Sequence, residues 1–247
     1  MRLNRYLARS GVASRRQCDD LIRAGSISVN GLLVSKLGCR VEVGADHVEC
    51  RGETVELPVG LEYVALNKPV SYLVTRRDTQ RRRTIYELVQ ERHPGTVAVG
   101  RLDLNTSGLL LLTNDGDLAY RLSHPRFKVE KHYVALVQGE TKEATIQLLC
   151  DGVELEDGKT APAKIELVDL VSLGDKVATR LRMTIREGRK RQIRRMCSAI
   201  GHEVLELTRY ALGSLELGEL PVGAWRHLEA QEVCRLRQHT GLPAEPA

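Results

Sequence analysis

The sequence predicts an α+β chain in two parts: a small helix-helix-hairpin domain at residues 1–60, linker included, and a longer domain at 61–238 in which strands and helices alternate. Three observations carry this. Apolar residues recur twice at helical spacing before residue 25, and an Asn-Gly pair then sits between two β-rich runs. From residue 61 onward, runs of period two or of continuous apolar residues alternate with runs of period near 3.6.

In the first part, Leu3, Tyr6 and Leu7 form one apolar stripe and Ser10-Gly11 breaks it. Ser14 stands as the N-cap of RRQCDDLIRAG, where Cys18, Leu21 and Ile22 share a face, Arg15 and Arg16 occupy the first turn and Gly25 stops the helix. SISVNGLLV reads as a hairpin turning at Asn30-Gly31, and VEVGADHVEC as two short strands around Gly44-Ala45-Asp46. GETVELPVG, residues 52–60, with Pro58 and two flanking glycines, reads as a linker.

In the second part, LEYVALN and TVAVG are strands, TIYELVQE (84–91) is a helix, and SGLLLLT is a strand buried on both faces. GDLAYRLSH is a short helix closed by Pro125, KHYVALVQG a strand, and TKEATIQLLCDG a helix with Gly152 just past its end. ATRLRMTIREG alternates, with Leu181, Met183 and Ile185 inward and Arg180, Arg182, Thr184 and Arg186 outward, which predicts a basic outer face. In KRQIRRMCSAIGHEV, Ile193, Met196, Cys197 and Ile200 make the buried stripe. Arg191 and Arg195 fall on the opposite, solvent side and Arg194 on the flank, about 100° round from Ile193. Residues 239–247, ending GLPAEPA, read as a disordered tail.

Composition narrows the class. Aromatics are 4% of residues, so the core is built from Leu, Val, Ile and Ala. No apolar run reaches the roughly 20 residues of a membrane span, and MRLNRYLARSG lacks a signal-peptide apolar segment, which predicts a soluble, cytoplasmic protein. The six cysteines show no Cys-x-x-Cys spacing, against a zinc site or a disulfide framework. Positive charge is concentrated. Residues 1–40 carry Arg2, Arg5, Arg9, Arg15, Arg16, Arg23, Lys36 and Arg40 against Asp19 and Asp20. RRDTQRRR (76–83) and REGRKRQIRR (186–195) follow, and three such runs favour a polyanionic partner, since guanidinium forks match phosphate oxygens.

One stretch, GRLDLNTSGLLLLTNDGD at 100–117, places Arg101, Asp103, Asn105, Thr106 and Ser107 directly before four leucines. Asn, Thr, Ser and Asp suit an ordinary turn. Equally, loops held by rigid strands are where reactive groups sit, and an Asp near an Arg can stay ionised in a partly dry cleft.

RLNRYLARSGVASRRQCDDLIRAGSISVNGLLV resembles the alpha-L type RNA-binding module of a ribosomal small-subunit protein. Taken with LNKP (66–69), GRLDLNTSGLLLLTNDGD, KHYVALVQG and EGRKRQIRRMCSAIGHEV in that order, the chain from residue 2 to about 230 resembles the small-subunit-type branch of the ribosomal RNA pseudouridine synthases. The resemblance implies a mixed, mainly antiparallel catalytic sheet with flanking helices. It also implies isomerisation of selected uridines in ribosomal RNA or in ribosome assembly intermediates. The sequence shows no metal or nucleotide motif, so the chemistry is expected to run without cofactor or metal, and the protein is expected to be a monomer. Asp103 matches the essential aspartate, a nucleophile or base at the sugar. Arg194 matches its basic partner, Tyr133 the tyrosine that stacks on the target base, and Arg101 an arginine filling the space left by a flipped-out base. Arg15, Arg16, Lys36, Arg189, Arg191 and Arg195 are the expected RNA contacts. One departure is Ser71, where members commonly carry Gly. The alternatives are a non-catalytic RNA-binding protein of ribosome assembly, or a methyltransferase, which would need a Gly-rich donor loop that the sequence lacks.

Overall fold

The computed structural model describes residues 1–76, 78–89 and 95–244. The chain divides into two compact units. One is Met1–Glu62 with two short returns, ending at Val97 and spanning Thr113–Asp115; the other comprises Tyr63–Val89, Ala98–Leu112 and the chain from Gly116 onward.

The first unit runs α1 (Leu3–Arg9), α2 (Arg15–Arg23), β1 (Ile27–Val29), β2 (Leu32–Leu33), β3 (Val48–Cys50) and β4 (Glu53–Thr54). Its sheet has the order β2-β1-β3-β4. The expected Ser14 cap is a full capping box: Gln17 N donates to Ser14 Oγ and Ser14 N donates to Gln17 Oε1. Asn30 and Gly31 have φ of 52° and 79°, the paired left-handed conformations of a type I′ hairpin turn. Leu3, Leu7, Cys18, Ile22, Ile27 and Val48 close the core, and burial pushes the Cys18 thiol up to about 11.

Two expectations fail here. Residues 41–43 form no strand, because the Asp46 carboxylate accepts from Glu42 N at 2.7 Å and from Asn30 Nδ2 at 2.8 Å, folding the segment into a turn. The stretch 52–60 is not a plain linker. It begins with β4, and Val55 is buried in the core with its carbonyl accepting from Tyr6 Oη.

The second unit runs β5 (Tyr63–Lys68), α3 (Tyr86–Val89), β6 (Val97–Ala98), β7 (Ser107–Thr113), α4 (Gly116–Ser123), β8 (Lys131–Gln138), α5 (Glu143–Asp151), β9 (Lys164–Leu173), β10 (Lys176–Ile185), α6 (Gln192–Ala199), β11 (Val204–Leu212), β12 (Leu215–Glu216), β13 (Trp225–His227) and α7 (Ala230–His239). The main sheet has the order β13-β5-β7-β11-β8-β10-β9, with β6 beside β7 and β12 beside β11. β11 is parallel to β7, and β8, β10 and β9 form an antiparallel run, so the sheet is mixed and mainly antiparallel. Leu109 to Leu112 are all fully buried, as the apolar run requires.

The outer face of β10 is not free positive charge. Arg180 and Arg182 stand directly across from Asp169 and Glu166 on β9, with Arg180 paired to Asp169 at 2.7 Å, and Arg186 pairs with Glu130 at 2.7 Å. Residues 239–244 are not a disordered tail, since Thr240 O accepts from Arg121 Nη1 and Pro243 O from Arg237 Nε. Arg77, within the basic run 76–83, residues 90–91 of the helix expected over 84–91, and tail residues 245–247 lie outside the described residues.

Candidate active site

The loop between residues 100 and 107 is built around one cation. Asp103 opens a β-turn in which Thr106 N donates to Asp103 O at 3.1 Å, so the residue expected to react stands at a turn position. Lys68, the last residue of β5, is fully buried. Its Nζ donates to the carbonyls of Pro69 (2.9 Å), Asp103 (3.2 Å), Leu104 (3.5 Å) and Thr106 (2.8 Å). Three of the four acceptors belong to the turn, which is therefore wrapped on an ammonium. Burial pulls Lys68 down to about 8, opposed by the Asp103 carboxylate. Ser71 adds a second tie, its N donating to Leu104 O at 2.8 Å. Its φ of 67° explains the glycine expected there, since the turn demands a left-handed residue and Ser71 takes that conformation despite its Cβ.

Behind the loop, two strands meet unusually closely. Gly108 on β7 lies opposite Arg209 on β11, and a Cβ at Gly108 would stand 2.2 Å from Arg209 O. Only glycine fits, at φ 103°. Arg209 is buried, with Nε donating to Leu109 O at 2.8 Å. On its other side, Arg209 is registered with Tyr133 on β8, so the two side chains share one face of the sheet.

That face floors a cleft of about 540 Å³ lined by Arg101, Asp103, Thr106, Lys131, Tyr133 and Arg209, with Arg189 and Arg191 also at its wall. Tyr133 is buried and Arg101 exposed. Lys131 Nζ donates to Val129 O at 3.2 Å, and burial together with the Arg209 charge pulls it down to about 8, with Glu187 opposing. Among the described residues no hydrogen bond or ion pair reaches the Asp103 carboxylate.

The expected partner of Asp103 is arranged differently. Arg194 makes no ion pair with it; Nη1 donates to Val204 O at 2.8 Å and Nη2 to Asn105 O at 2.7 Å. Arg194 thus clasps the Asp103 loop through its backbone. Burial and the Arg191 charge lower its guanidinium while the Asp103 carboxylate raises it, so the interaction with the aspartate acts through space.

Arg195 is not an outward cation either. Its Nη2 meets both carboxylate oxygens of Asp157 at 3.0 Å, leaving the side chain 28% exposed. Arg189 is consumed by the same loop, donating to the carbonyls of Gly158 and Lys159 at 2.6 Å each. Arg191 is exposed, at a left-handed φ of 50° before α6. In the first unit, Arg15, Arg16 and Lys36 are exposed, with no partner among the described residues.

Sequence reasoning missed Lys68, Lys131 and Arg209. The available signal was a lone Lys or Arg inside or at the end of a strand pattern otherwise buried, which costs too much unless the cation has a task.

Residues 62–199 match the RNA pseudouridylate synthase family and residues 1–47 the S4 domain. An uncharacterized RNA pseudouridine synthase of Aquifex aeolicus is 42% identical over 247 residues, covering 100% of this chain and 97% of that one. Ribosomal large subunit pseudouridine synthase B of Bacillus subtilis is 42% identical, covering 96% and 95%. A solved pseudouridylate synthase structure is 30% identical with a TM-score of 0.68, covering 96% and 99% of the two chains. The alternatives of a non-catalytic binder and a methyltransferase fall with these matches, and the chain belongs to the RNA pseudouridylate synthase family, enzymes that isomerise uridine in RNA.

Proposed function

We propose that the enzyme isomerises a specific uridine of large-subunit ribosomal RNA, with Asp103 as the reacting carboxylate. A relative of stated function that matches almost end to end is a large-subunit enzyme, which supports that substrate over the small subunit. The observation that carries the assignment of Asp103 is its setting: a carboxylate at a cleft, unbonded to any described residue, on a turn whose backbone is fixed by Lys68 and Arg194. A reacting group needs a free head on a rigid base, and this turn supplies both.

In this reading the target nucleotide leaves its stack and enters the cleft, with its base against Tyr133 and Arg101 taking its place in the RNA. Asp103 acts at the ribose as nucleophile or base while the C1′–N1 bond breaks, the uracil turns, and C5 bonds to C1′. The first unit holds flanking RNA through Arg15, Arg16 and Lys36 by charge. The protein acts as a cytoplasmic monomer, and no helix among the described residues is long and apolar enough to cross a membrane. The test is to map pseudouridines in ribosomal RNA from cells with and without the gene, and in unmodified RNA treated with the purified protein. Loss and restoration of one large-subunit site is expected; an unchanged map, with no product in vitro, would contradict the proposal.

A further inference from the structure

Arg209 is 2% exposed, yet only part of its guanidinium is used. Nε is bonded to Leu109 O, whereas Nη2 is buried with no hydrogen-bond partner. A buried N–H without a partner costs free energy, more so when charged, and calls for an explanation. A second buried polar atom on the same cleft, Thr106 Oγ1, also lacks a partner. Lys131, two residues along β8 from Tyr133 and therefore on the same face, has a described bond only to Val129 O. The cleft thus joins one buried ring to a buried and a half-buried cation with donors to spare, beside the Asp103 turn.

We propose that Arg209, through its unused Nη2 and supported by Lys131, binds a carbonyl oxygen of the target pyrimidine and stabilises the charge that ring gains as it leaves the sugar. When C1′–N1 opens, the bonding electron pair goes with the uracil and spreads from N1 onto its carbonyl oxygens; when C5 bonds to C1′ that pair forms the new bond, after which C5 loses its proton and N1 takes one up. This holds whether Asp103 attacks C1′ or removes a proton from the ribose, because the uracil departs with the pair in both cases. A preset donor in a dry site acts on charge that develops only during reaction, so Arg209 contributes to the rate more than to RNA affinity. Its Nε bond holds the guanidinium, and the close approach of Gly108 fixes the backbone that carries it, before substrate arrives. The inference rests on the function proposed above.

The test compares wild type, Arg209→Lys and Arg209→Met in single-turnover glycosidic cleavage, on RNA carrying uridine or 5-fluorouridine at the target, with RNA affinity and thermal stability measured alongside. Fluorine itself stabilises the departing anion. Arg209→Met is expected to lose about 100-fold on uridine, the scale of one preorganised donor, and clearly less on 5-fluorouridine, with Arg209→Lys between. RNA affinity should stay near wild type. Equal losses on both substrates, or no loss on uridine, would overturn the inference; if Arg209→Met fails to fold, the same substrate ratio read on Arg209→Lys decides. A wild-type protein inactive on every ribosomal uridine would instead remove the function proposed above.

Discussion

The two units carry positive charge in opposite ways. In the first, Arg15, Arg16 and Lys36 stand exposed, on the first turn of α2 and just beyond β2. In the second, Lys68 and Arg209 are buried and Lys131 is half-buried at the cleft, each bonded to at least one backbone carbonyl. An exposed cation attracts phosphate at long range and is weakened by salt. A buried one is shielded from salt and expensive to place, so it persists where backbone or substrate accepts its donors. In the function proposed above, the difference separates two tasks: surface charge gathers RNA, and buried charge shapes the loop and the chemistry.

The sharpest way to break this comparison is at Lys68. Lys68→Met leaves the carbonyls of Asp103, Leu104 and Thr106 without their common donor. We expect turnover to fall by about 100-fold from the misplaced loop and stability to drop by about 3 kcal/mol. Pseudouridine yield and thermal melts check both; a variant unchanged in either measure would show that the ammonium does not organise the turn.

Gly108→Ala attacks the same region through the backbone. The added methyl meets Arg209 O at 2.2 Å and must adopt φ 103°, which should cost about 3 kcal/mol. Chemical denaturation should report that loss, and a stability equal to wild type would mean that β7 and β11 can part without cost.

The pH response sharpens the contrast further. Lys68 and Lys131 are both lowered to about 8. Turnover should therefore decline as pH rises through about 8, and Lys131→Met should leave one titrating group in that limb. Stability should move the other way. Between about 8 and the ordinary lysine value the unfolded chain binds more protons than the folded one, so these two groups add stability as pH rises across that window. Rate profiles and melts over the same range test the opposite signs, and a turnover flat to pH 10 would remove both ammoniums from the chemistry.

The smallest expected effect lies in the first unit. Arg15→Ala with Arg16→Ala should weaken RNA binding and reduce the slope of log affinity against log salt by about one for each phosphate no longer neutralised, with the single-turnover rate on saturating RNA unchanged. A slower chemical step at saturation would show that the two kinds of charge are not separate.

What the sequence disclosed follows from range. Ser14 with Gln17, Asn30-Gly31 and the leucines at 109–112 act over a few residues, so caps, hairpin and buried strand were legible. The family resemblance pointed to Asp103 and Tyr133, and both line the cleft. Contacts between distant positions were not legible. Asp157 lies 38 residues from Arg195, and its pairing turns an apparent surface cation into a loop anchor. Val55 was hidden by the glycines and Pro58 around it, although it completes the first core. Arg209 interrupts the apolar pattern of β11, and no strand was expected over Val204–Leu212.

The central claim is that Asp103 reacts while its turn is held by others. Asp103→Asn keeps size, shape and turn preference, and no described bond involves the carboxylate it replaces. The decisive measurement is pseudouridine formation by Asp103→Asn on ribosomal RNA, with affinity and melting temperature taken on the same sample. The account predicts wild-type folding and binding with product below detection; an Asp103→Asn enzyme that still forms pseudouridine at a comparable rate would contradict it.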